Sequence, residues 1–163
     1  MAAAYEFIHN FMLDSCGFDT NDPLEQPACK KIFEWEKSGK VGPNVPHSVM
    51  KEIDHPNTPS WTREKAHGLV STVDLGLTPE KNKKLQALKK IIPEADALHV
   101  LIAHDSAVYF VTADNGYIVK RKEIENILLG MKIYKPSEFV TIVENDEIQW
   151  KKSMEWRKSR GLS

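Results

Sequence analysis

Short apolar runs alternate with stretches of helical periodicity from one end of this chain to the other, and no hairpin signal joins any two neighbouring runs. Phe7 to Leu13, Val41 to Pro46, Val108 to Thr112 and Lys132 to Lys135 read as strands. Between them, Pro27 opens a helix carrying Ala28, Ile32 and Trp35 that Ser38-Gly39 closes, and Ser48 reads as the N-cap of a short helix with Val49, Glu52 and Ile53. Further helices are expected from Ser60 to about Val70, from Thr78-Pro79-Glu80 to Pro93, from Glu94 to Ala107, and from Lys122 to Leu129 with Gly130 as a stop. Strands joined through helices rather than tight turns must run parallel by right-handed crossovers, with helices on both faces of the sheet. The expected fold class is therefore α/β, a three-layer α/β/α arrangement with a central parallel sheet.

A chain of 163 residues, 41% of them hydrophobic, suits one core. Residues 1–145 are expected to form that domain and 146–163 a C-terminal helical tail bearing Trp150, Met154 and Trp156. With 22 Lys+Arg against 23 Asp+Glu the net charge is -1, so contact with nucleic acid has to come from local basic patches. Two cysteines, Cys16 and Cys29, are too few for a disulfide framework and favour a reducing compartment, with the cytoplasm as the expectation. Met1 to Glu6 lacks a basic leader region, and no run approaches the roughly 20 apolar residues of a membrane span.

Acidic residues fall where such a fold opens its ligand sites. Ligands of open parallel sheets bind at the carboxyl ends of the strands, and Asp14 and Asp114 each end an apolar run. Asp96, in the first turn of the helix before a strand, faces the same edge, and Glu52 reaches it if its short helix packs nearby. Carboxylates are hard oxygen donors suited to Mg²⁺ or Mn²⁺, ions that activate water and neutralise charge on a phosphodiester. Each acid also has a simpler reading as a cap or turn residue.

As an ordered set, these stretches resemble the PIN-domain nucleases. Ala95-Asp96-Ala97-Leu98-His99-Val100-Leu101-Ile102-Ala103 followed by Val108-Tyr109-Phe110-Val111-Thr112-Ala113-Asp114 is similar to that family's acidic helix start and its strand ending in T-x-D. Phe11-Met12-Leu13-Asp14-Ser15 resembles its opening strand and first acid, and Pro46-His47-Ser48-Val49-Met50-Lys51-Glu52-Ile53 its second acidic motif. The resemblance spans most of residues 7–140. It implies a metal-dependent endoribonuclease, often the toxin of a toxin-antitoxin pair, with RNA as substrate, an antitoxin protein as a candidate partner and a homodimer as the expected state. By the same resemblance Asp14 and Asp96 are the principal metal ligands, Asp114 and Glu52 complete the ring, and Ser15 and Thr112 orient their neighbours. One position departs: many relatives have Asn where this chain has Cys16, a weaker hydrogen-bonding partner. The alternative function is accordingly a PIN-like RNA- or protein-binding module without catalysis.

Other candidates carry less. The six histidines show no zinc-ligand spacing and read as surface or packed residues; Asp19-Thr20-Asn21-Asp22 lacks the glycine and closing glutamate of a calcium loop. Cys16 has no activating base nearby in sequence, and a phospho-accepting signalling domain would need a second acid beside Asp14. Lys81 to Lys90, Lys120 to Lys122 and Lys151 to Arg160 are basic runs able to contact phosphates, the first more simply a solvated helix face, and Trp35 and Trp61 are expected to be buried in the core or at an interface.

Overall fold

A computed structural model describes residues 9–18, 20–71 and 76–162. The leader reading of Met1 to Glu6, the first two residues of the expected opening strand and Asp19 lie outside them. Five parallel strands form the sheet, in the order β3-β2-β1-β4-β5. They are β1 (His9–Leu13), β2 (Val41–Pro46), β3 (Val70–Ser71), β4 (Tyr109–Val111) and β5 (Lys132–Tyr134). Helices α1 (Gln26–Lys37), α2 (Met50–Ile53), α3 (Ser60–Leu69), α4 (Pro79–Lys89), α5 (Glu94–Ser106), α6 (Asn115–Ile127) and α7 (Pro136–Ser159) connect and cover it.

The period-two alternation of the central strands sorts the core into two layers. Met12 and Phe110 face one side, where they pack with Leu88 of α4, Val100 of α5 and Ile124 of α6. Phe11, Leu13 and Val111 face the other, against Ile32 of α1, Ala66 of α3 and Phe139 of α7. All of these residues are at most 1% exposed. A central parallel sheet buried on both faces is what the alternation of elements requires.

Four elements depart from the sequence expectations. β3 is a fifth strand of two residues, paired with Val45 and Pro46, too short to show an alternation. Helix α6 starts at Asn115, seven residues before the expected Lys122, because Asp114 acts as its N-cap: the Gly116 N–H donates to Asp114 Oδ1 at 2.7 Å. A Cβ on Gly116 would lie 3.1 Å from that oxygen, so the glycine read as part of a turn lets the cap close. Ser48 caps nothing; it lies in a one-turn 3-10 helix, His47–Val49, with its hydroxyl turned to His99. Finally, α7 runs unbroken through 145/146, so the expected tail continues a helix anchored by Phe139 and Val143, by the Lys31–Glu144 ion pair to α1 and by the Lys40–Glu147 pair to the turn before β2.

Among the described residues no helix is long and apolar enough to cross a membrane.

Candidate metal centre

The strand order makes the chain reverse direction across the sheet between β1 and β4: β2 and β3 are laid down on one side of β1, β4 and β5 on the other. At such a switch point the loops leaving the two central strands diverge and leave a crevice at their carboxyl ends. Asp14 leaves β1 and Asp114 follows β4, so both stand at this crevice. Glu52, on α2 after β2, and Asp96, in the first turn of α5, come to the same edge from either side.

Asp14 is 2% exposed. The Thr112 hydroxyl donates to its Oδ2 at 2.8 Å and accepts from the Asp114 N–H at 3.0 Å, so one side chain fixes both strand-end acids. Burial, opposed by the Thr112 hydrogen bond and reinforced by the charge of Glu52, pushes the Asp14 carboxyl up to about 6. Asp96 is also raised, by burial first and then by the charge of Asp114. Glu52 is held below its ordinary range, mainly by a hydrogen bond from His99.

That histidine is the component the sequence reading passed over. It is 3% exposed, with Nε2 at 3.0 Å from Glu52 Oε1 and Nδ1 at 2.8 Å from Ser48 Oγ. A carboxylate only accepts, so Nε2 carries the proton and, in the neutral ring, Nδ1 accepts from the Ser48 hydroxyl. Ser15 Oγ donates to the second oxygen, Glu52 Oε2, at 3.2 Å. Glu52 is thus held from two sides, and Ser15 supports Glu52 where Thr112 supports Asp14. The signal was available: Ser48 and Glu52 stand four apart, and Asp96 and His99 three apart, spacings that share a helix face.

The candidate ligand atoms form two neighbouring groups, each with all its atoms within 4.8 Å of one another: Asp14, Cys16 and Asp114 in one, Glu52, Asp96 and His99 in the other. Electrostatics joins them, since Asp96 feels the charges of Asp114 and Glu52, and Asp14 that of Glu52. Among the described residues no lysine or arginine forms an ion pair with any of the four acids. With both His99 nitrogens engaged by Glu52 and Ser48, the donor set is carboxylate oxygen, which fits a hard divalent cation. Burial and then the charges of Asp14 and Asp114 push the Cys16 thiol up to about 12, which keeps it protonated and removes it as a nucleophile.

Behind Ser15, Cys16 and Glu52 lies a recess of about 280 Å³ whose far wall is Asn57, Thr58, Pro59 and Thr62. Trp61, next to Thr62, is 50% exposed and so lies outside the core, because the apolar face of α3 is turned inward through Ala66 instead. No protein-family model matches the chain, and no curated protein matches it.

Proposed function

We propose that the chain is a metal-dependent endoribonuclease of the PIN type, hydrolysing RNA phosphodiester bonds at Asp14, Glu52, Asp96 and Asp114 with Mg²⁺ or Mn²⁺. The observation that carries this reading is the gathering of four acids in two neighbouring groups, none paired with a lysine or arginine among the described residues, at the switch-point crevice of a parallel sheet. A divalent cation bound there supplies an activated water and offsets negative charge on the phosphodiester. Asp14, oriented by Thr112, and Asp96 are the principal ligands; Asp114 and Glu52 complete the ring, and Glu52 is kept in place by His99 and Ser15. Carboxylates held in advance by hydrogen bonds need no rearrangement when the ion and the phosphate arrive. The cytoplasmic location, which rests on cysteine usage, and the homodimer and antitoxin partner, which rest on the resemblance, belong to the same proposal.

The test is cleavage of labelled single-stranded and structured RNAs in Mn²⁺, Mg²⁺ or chelator, beside Asp96→Asn purified identically so that contaminating nucleases are controlled. Metal-dependent cleavage lost in Asp96→Asn is the expected result. Wild type as inert as Asp96→Asn on every RNA would sink the nuclease and leave the binding module.

A further inference from the structure

We propose that the groove between α1 and α3 is a nucleobase subsite that seats an unpaired base of the RNA strand beside the cleavage centre; this rests on reading the acids as acting on RNA. The groove has a volume of about 460 Å³, within the range of small-ligand sites. Its floor is aromatic: Phe18 and Phe33 lie 5.2 Å apart between centroids. Trp61, half-exposed, forms a wall. Lys30 and Lys37, both exposed and lining the groove, form no ion pair with any described residue, and Lys65 Nζ stands 5.8 Å over the Phe33 ring.

Aromatic faces with unpaired ammonium groups beside them match the two halves of a nucleotide, a flat base to stack and a phosphate to neutralise. An apolar peptide would use the aromatic faces and leave the lysines idle. A base in a duplex has no free face to offer, so the occupant is single-stranded.

Position links the groove to the acids. The recess bounded by Ser15, Cys16 and Glu52 ends at Thr62, and the groove begins at the adjacent Trp61. On the other side, Cys16 lines the recess and Phe18, two residues on, lines the groove. The groove and the recess thus share the start of α3 and the segment after β1, and one strand spanning the two would have Glu52 at one end and Lys30 and Lys37 at the other.

The experiment is a titration of short fluorescein-labelled single-stranded RNA, in chelator so that nothing is cleaved, into wild type, Trp61→Ala and the double variant Lys30→Glu/Lys37→Glu. The same oligomer lacking its bases is titrated in parallel. Trp61→Ala is expected to weaken RNA binding roughly tenfold. The double variant should weaken it too and flatten its salt dependence. The abasic oligomer should bind less tightly and not distinguish wild type from Trp61→Ala. Equal RNA affinity for wild type and Trp61→Ala, or abasic binding as tight as RNA, overturns the subsite; so does displacement of the RNA by an apolar peptide but not by free nucleotide. Trp61 is exposed enough for its alanine variant to fold, which thermal melting verifies. Because binding is read without cleavage, failure here leaves the nuclease reading standing, and Trp61-dependent binding by a protein that cleaves nothing removes the nuclease and keeps the subsite.

Discussion

Asp14 is the residue at which the cost of building the centre is most concentrated. Its carboxyl titrates near 3.8 ordinarily and at about 6 in the folded chain, so the native state holds the proton more tightly than the unfolded state. Asp14 should therefore take stability from the metal-free protein as pH rises from about 4 to about 6, by about 3 kcal/mol at full expression, and give none of it back above that window. Asp14→Asn is expected to remove this contribution, leaving that of Asp96, and to be more stable than wild type at neutral pH. Urea denaturation in chelator on both sides of the window measures it; parallel slopes for the two proteins would contradict the assignment. His99 makes the complementary case. His99→Gln should cut metal-dependent cleavage by about 10- to 100-fold, through misplacement of Glu52. A Ser48→Ala variant, which removes only the outer hydrogen bond, should fall between it and wild type; equal rates in all three would argue against a positioning role. The acids were legible in the sequence because each follows an apolar run or opens a helix. The Ser48–His99–Glu52 chain was less so, because it joins segments 51 and 47 residues apart that only the folded crevice brings together.

At the scale of elements, caps decide more than periodicity does. Thr78 caps α4 as its sequence signature predicts, accepting from the Lys81 N–H. The start of α7 is held differently. Glu25, 4% exposed and just before α1, accepts from the Ser137 N–H and from the Ser137 hydroxyl, both at 2.8 Å. A buried carboxylate 112 residues away thus serves the positive end of the last helix, and nothing in the local sequence of α7 announces it. Glu25→Ala leaves two donors without partners and is expected to cost about 2 kcal/mol of stability. Glu25→Gln, which keeps one acceptor, should cost less. An unchanged urea midpoint in Glu25→Ala would show that α7 is held by Phe139, Val143 and its ion pairs without help from Glu25. The same reasoning explains β3 and the early start of α6. A two-residue strand carries no period, and a helix whose first turn is Asn-Gly is recognised only once its cap is seen.

For the whole molecule, the fold class follows from alternation, while the strand order does not. Any arrangement with right-handed crossovers satisfies the sequence pattern; the observed order also puts Phe11 and Leu13 on one core and Met12 and Phe110 on the other. That order places β1 beside β4, and hence Asp14 beside Asp114, at the point where the chain changes side. On the proposed reading the two groups of ligand atoms, brought from four loops and helices, act as one metal centre. Mn²⁺ should stabilise the wild type by about 2.7 kcal/mol at a hundred times its dissociation constant, by preferential binding to the folded state. The most direct measurement is calorimetric titration of Mn²⁺ into wild type, Asp114→Asn and Glu52→Gln, one substitution from each group. Saturable binding to wild type is expected, weakened by about tenfold or more in both variants. No binding to wild type, or Mn²⁺ affinity indifferent to both substitutions, would contradict it.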